Sequence, residues 1–206
     1  MLHYETIHPD TLELLKKIQS LDIFAGTRLV GGTALALQIG HRKSIDLDFF
    51  GKMDSSLEDI VNELSEFAVA NPLSSTKAMR FLVVDGVKVD IVNYPYIWID
   101  APVIEEGITL AGERDISAMK LSAITNRGTK KDFIDLYFLL KKYSFDELIA
   151  FYLEKYADAQ LFTVLKSLTY FEDAEDDPTP IMIEPIKWEE VKTEIVTAVS
   201  RFLNRN

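Results

Sequence analysis

Residues 29–50 read LVGGTALALQIGHRKSIDLDFF, and the order of residue types along them decides the fold. Thr27 to Val30 is a short β-prone run that ends on Gly31-Gly32, and Thr33 to Gln38 consists of strong helix formers up to a stop at Gly40. Strand, glycine turn and short helix therefore follow in succession. Ser44 to Phe50 then alternates, with Ile45, Leu47 and Phe49 on one face and Asp46, Asp48 and Phe50 on the other. This spacing predicts a second, largely buried strand with two acids on one side.

Working outward, His8-Pro9-Asp10 opens a helix over about 9–20 on which Leu12, Leu15, Ile18 and Leu21 recur at helical spacing. Leu57 to Val69 is also helical in period. Arg80 to Val84 and Val87 to Val92 are β-rich and flank Asp85-Gly86, a hairpin turn signal. Beyond about residue 112 the strand signals stop, and helices are expected over 115–125, 130–142, 145–156, 159–170 and 188–203. The prediction is an α+β fold: a core over 1–111 with a mixed sheet flanked by helices, then a helical subdomain over 112–206 that completes the active site. The acidic stretch EDAEDDPTP before the last helix is expected to be a solvated loop.

The 206 residues include 22 basic and 33 acidic side chains, a net charge of −11 that excludes a wholly basic nucleic-acid coat. With 48% hydrophobic residues the chain is of globular type and long enough to bury roughly 70% of its unfolded surface. The absence of cysteine excludes a disulfide framework, thiolate metal sites and thiol catalysis. No export signal and no apolar run of membrane-spanning length is visible, so the expected location is the cytoplasm, away from membrane.

The chemistry concentrates around the opening stretch. A glycine pair where a strand meets a helix offers backbone N–H groups and a positive dipole end to a phosphate. Tight helix-on-strand packing uses the same pair, so Gly31-Gly32 alone does not decide the matter. Asp46 and Asp48, two residues apart on a strand, would have Cα atoms about 6.8 Å apart. Their carboxylates could then hold a pair of Mg²⁺ ions roughly 4 Å from each other. Buried, the two like charges demand a cation. Asp90, in VKVDIVNY, would join them as ligand or general base if its strand lies alongside.

A second group lies in the helical half. Lys120 and Arg127, seven apart, point the same way on one helix, and Lys130 and Lys131 open the next behind Thr129, whose hydroxyl can cap it. Cations at a helix N-terminus oppose its dipole, which suggests a bound anion; solvated lysines on a mobile turn account for the placement equally well. Residues 114–142 hold seven basic and three acidic side chains, a basic island suited to RNA. Asp132 and Asp135, three apart beside the apolar stripe Phe133, Leu136, Tyr137 and Leu140, either steer Lys120 and Arg127 toward a triphosphate or neutralise nearby lysines.

GGTALAL, then His41-Arg42-Lys43-Ser44, then DLDFF, followed much later by Lys120 and by RGTKKDFIDLY from Arg127, resembles the AbiEii/AbiGii-type nucleotidyltransferases. These are toxin components of bacterial toxin–antitoxin and abortive-infection systems, and the resemblance covers roughly residues 25–142. It implies a polymerase-β-like nucleotidyltransferase fold that uses NTP and Mg²⁺, with release of pyrophosphate. By that resemblance Gly31, Gly32 and Thr33 hold the triphosphate, and Arg42 and Ser44 line the nucleotide pocket. Asp46 and Asp48 bind metal; Asp90 as third acid comes from the strand pattern and not from the resemblance. Lys120 contacts phosphates, and either Asp132 or Asp135 is the late acidic position. The expected partners are NTP, a tRNA or protein acceptor, and a cognate antitoxin. The wider superfamily commonly has serine where this chain has Gly32. A catalytically inactive binding module and a metal-dependent sugar-nucleotide transferase are the competing readings; the latter leaves Gly31-Gly32 and the Lys120 helix unexplained.

Overall fold

The structure, a computed structural model, describes residues 1–205. The chain divides into two compact units: Met1–Tyr96 with Ala101–Ala111, and Ile97–Asp100 with the chain from Gly112 onward.

The first unit opens with α1 (Pro9–Gln19), where Pro9 takes the first turn and the His8 ring accepts the Asp10 N–H. β1 (Thr27–Val30) runs directly into α2 (Gly31–Ile39), which stops at Gly40 in the left-handed conformation, φ +75°. β2 (Leu47–Gly51) and α3 (Leu57–Leu64) follow, the latter opened by a capping box between Ser56 and Asp59. β3 (Ala70–Ser75), β4 (Met79–Val84), β5 (Val87–Asn93), β6 (Val103–Glu105) and β7 (Ile108–Leu110) complete the unit. The strands form one mixed sheet in the order β3-β4-β5-β2-β1-β7-β6, with β2 parallel to β5 and β1 parallel to β7. Its core is continuous from Leu29, Leu47, Phe49, Val89 and Ile91 to the α2 side chains Ala34, Leu35, Ala36 and Leu37, all fully buried.

Two hairpins use the same device. Asp85 and Gly86 both have positive φ (48° and 81°), as do Glu106 and Gly107 (49° and 80°), the pattern of a type I′ turn. The first was expected from Asp-Gly; the second joins β6 and β7, which were not. β3 was missed for a different reason. It carries Pro72, has a bulge between Pro72 and Ser74, and lies at the sheet edge, where a missing N–H costs little. The helix expected to reach Val69 ends at Leu64, and the strand expected from Ser44 begins at Leu47. Ile45 is consequently 67% exposed, and Asp46 precedes the strand.

The second unit holds α4 (Glu113–Asn126), α5 (Lys130–Leu140), α6 (Phe145–Lys155), α7 (Leu161–Ser167) and α8 (Trp188–Leu203). The segment Ile97–Asp100 is tied to it by Asp115 on α4, whose carboxylate accepts the N–H groups of Ile99 and Asp100 at 2.9 Å each and the Lys155 ammonium at 2.6 Å. α5 is buried on more than the expected stripe: Asp132 and Asp135 are as inaccessible as Phe133 and Leu136. Phe133 in turn packs against Phe171 and Trp188.

The acidic stretch is more than a solvated loop. Lys130 donates from its backbone N–H to Asp177 Oδ2 at 2.9 Å and from its ammonium to the carbonyls of Glu175 and Asp177. The anion that Lys130 called for at the start of α5 is therefore the protein's own loop. Thr129 donates its hydroxyl to Asp132 at 2.6 Å and makes no side-chain cap.

Candidate active site

β1 and β2 pair antiparallel with Val30 opposite Asp48, so the residue that begins α2 meets the Asp48 side chain. Gly31 has φ +69°, and a Cβ there would lie 2.2 Å from Asp48 Oδ2. Only glycine permits both the conformation and the approach. A Cβ on Gly32 would lie 2.3 Å from the Arg42 guanidinium and 3.4 Å from Ser44 Oγ. The room that a serine would need at this position is taken by Arg42, with a hydroxyl supplied alongside by Ser44. Thr33, buried, donates its hydroxyl to the Asp46 carbonyl and shares a 2.9 Å hydrogen bond with Ser44 Oγ. Gly31, Gly32, Thr33, Arg42, Ser44 and Asp48 are thus gathered at one helix N-terminus, an end that favours anions.

β2 and β5 run parallel with Asp48 and Asp90 as direct partners, so Val30, Asp48 and Asp90 align across three strands. Asp90 Oδ2 accepts a 2.7 Å hydrogen bond from Lys88, while its Oδ1 is buried without a hydrogen-bond partner. Burial pulls the Lys88 ammonium down, but the hydrogen bond and charge of Asp90, with the charges of Asp48 and Asp46, hold it above the ordinary lysine value.

Among the described residues, no set of three His, Cys, Asp or Glu side chains is assembled ready to hold a metal. Of the three expected acids, Asp48 and Asp90 stand side by side in register, while Asp46 comes just before β2. The donor chemistry still fits a hard divalent cation. Two carboxylates side by side, one with a buried oxygen that has no hydrogen-bond partner, offer the hard oxygen donors that such a cation takes.

The remaining expected residues form a cluster within the second unit. Lys120, its side chain 4% exposed, lies 2.9 Å from Asp132 Oδ1 and 2.6 Å from Asp135 Oδ2. Arg127 Nε reaches Asp132 Oδ2 at 3.0 Å, with its own side chain 59% exposed. Burial works against ionisation of Asp132, yet the Lys120 charge and then Arg127 and Thr129 hold its carboxyl well below the usual carboxylate range. Several members of the basic island have partners outside the 114–142 window: Arg114 pairs with Asp100 and Glu154, Lys142 with Glu113, and the Lys130 ammonium donates to carbonyls of the acidic loop.

Residues 14–202 match the model of the nucleotidyl transferase AbiEii toxin family of type IV toxin–antitoxin systems. The chain belongs to that family. An uncharacterized Aquifex aeolicus protein is 36% identical over 197 residues, which cover 93% of this chain and 95% of the relative. Two solved structures share the fold: a Helicobacter pylori protein provisionally named a nucleotidyltransferase, and the nucleotidyltransferase toxin MenT4 of Mycobacterium tuberculosis. The first has a TM-score of 0.65 at 19% identity, covering 95% of this chain and 93% of its own. The second has a TM-score of 0.54 at 16% identity, covering 91% and 80%.

As an AbiEii-family nucleotidyltransferase, the chain carries two charged features that its sequence did not announce. Lys88 drew no notice in the sequence, although its place two residues before Asp90 sets both on one face. The Asp115–Lys155 pair is fully buried in the second unit, its partners 40 residues apart with no local pattern linking them. Among the described residues, no helix is long and apolar enough to cross a membrane.

Proposed function

We propose that this AbiEii-family protein transfers a nucleotide from an NTP to a hydroxyl acceptor, on RNA or on a protein, with Mg²⁺ as cofactor, and that a cognate antitoxin restrains it. The observation that carries the reading is the in-register pair Asp48 and Asp90 beside the glycine pair at the start of α2.

The N–H groups at the start of α2 orient the triphosphate, and the absence of side chains on Gly31 and Gly32 lets phosphate oxygens approach the backbone. Arg42 neutralises phosphate charge, and Ser44 and Thr33 fix the loop that presents Asp46. The Asp48 carboxylate stands at the same helix end as the phosphates, and a cation relieves that repulsion. Asp46, Asp48 and Asp90 would hold Mg²⁺, which when bound supplies Lewis-acid stabilisation of charge on the phosphoryl oxygens. Asp90 Oδ1 receives the proton of the acceptor hydroxyl as the new phosphodiester bond forms and pyrophosphate leaves. In the second unit, Arg127 is the more exposed cation of its cluster, since Lys120 is enclosed by two carboxylates.

The test supplies each α-labelled NTP with Mg²⁺ and, separately, total tRNA or cell protein. Label in an RNase-sensitive or a protease-sensitive product identifies the acceptor. Label in neither, from folded protein, contradicts the proposal. Growth arrest on expression, relieved by a neighbouring gene product, is the expected cellular counterpart.

A further inference from the structure

Lys88 and Asp90 are two apart on β5, and their side chains meet at 2.7 Å. Asp48 stands next to Asp90 on the neighbouring strand. Adjacent carboxylates on one sheet repel, and here the positive charge between them and water comes from a lysine. The Lys88 side chain is 51% exposed and that of Asp90 14%, so the ammonium covers a more deeply set acid from the solvent side. This differs from Lys120, which is enclosed by its two acids. A lysine is a flexible, strongly hydrated point charge, well suited to a contact that must break.

We infer that Lys88 is a displaceable internal counter-ion. Without metal it occupies Asp90 Oδ2 and neutralises the acidic face, and it must withdraw before a divalent cation can use that oxygen. The inference rests on the proposed metal-binding role of Asp48 and Asp90. Its consequence is that metal affinity in the nucleotide-free protein is set by competition with a residue of the chain itself. A unit charge about 6 Å from a dication in a water-like dielectric lowers its affinity about tenfold.

Calorimetric titration of the full, nucleotide-free chain with Mn²⁺ tests this in wild type, Lys88→Met, Lys88→Arg and Lys77→Met. Lys77 is an exposed lysine of the same unit and controls for net charge. Lys88→Met is expected to bind Mn²⁺ about tenfold more tightly than wild type and Lys88→Arg more weakly, with Lys77→Met unchanged. A thermal melt adds a second readout: Mn²⁺ should raise the melting temperature of Lys88→Met more than that of wild type. Should Lys88→Met fail to fold, Lys88→Gln takes its place. Equal affinity in wild type, Lys88→Met and Lys88→Arg overturns the inference. If, in addition, Asp48→Asn still abolishes Mn²⁺ binding, the metal reading survives and the Lys88 inference alone falls. Absence of Mn²⁺ binding from every variant, with and without NTP, overturns both.

Discussion

Asp48 and Asp90 are direct neighbours on parallel strands, and the Asp90 carboxylate accepts a 2.7 Å hydrogen bond from Lys88. Like charges placed opposite each other on a sheet destabilise it, so the pair is costly to the fold and useful to something else. Asp48→Asn is therefore expected to leave stability in urea unchanged or raised, within about 1 kcal/mol. A large loss of stability would show that Asp48 is a structural residue.

Gly31→Ala should be far more damaging. The left-handed φ costs a side chain about 1–2 kcal/mol, and the new Cβ displaces the Asp48 carboxylate that lies 2.2 Å from its position. Both lower stability and loss of NTP binding are expected, measured by urea denaturation and calorimetry. Full NTP affinity in a destabilised variant would separate the glycine from the phosphate cradle.

In the second unit, Lys120 is the buried cation between Asp132 and Asp135. Lys120→Met leaves uncompensated buried charge and is expected to cost about 3–5 kcal/mol. Adding Asp135→Asn should recover part of that loss, because it removes one of the stranded charges. No recovery in the double variant would mean that lysine packing, not charge pairing, supports the helices.

Asp132 also sets an acid response. Its carboxyl is held below the ordinary carboxylate value, against burial, by Lys120 and Arg127. A lowered folded-state pKa stabilises the protein above the unfolded value, about 3.9 for Asp, and this contribution is lost as pH falls from there through the folded value. Urea denaturation of wild type and Asp132→Asn between about pH 5 and 2 should show the wild type losing stability faster as the acid limit is approached. Parallel decline of the two would remove Asp132 from the account.

What the sequence revealed depended on how local each signal is. Gly31, Gly32, Asp46 and Asp48 fall within 18 consecutive residues, and their types and spacing suggested a phosphate and metal site directly, whereas Thr33, Arg42 and Ser44 entered through the family resemblance; the fold brings Asp48 to Gly31 and Arg42 and Ser44 to Gly32. The Asp85-Gly86 hairpin was legible because its turn needs positive φ at two positions. β3 was hidden because an edge strand tolerates Pro72, and the β6–β7 hairpin because three-residue strands show too little alternation. Partnerships across the chain were invisible in principle: the groups that Arg114, Lys130 and Lys142 bond to come from 14 to 47 residues away. Charge counted along a window therefore could not show which of these cations the fold pairs with distant acids.

The most direct test of the central claim compares pyrophosphate release with label transfer from an α-labelled NTP, in the presence of Mg²⁺ and cellular acceptors, for wild type and folded Asp48→Asn. The account predicts that wild type yields the two products in equal amounts and that Asp48→Asn yields both at least about a hundredfold more slowly. Equal rates from the two proteins would contradict it.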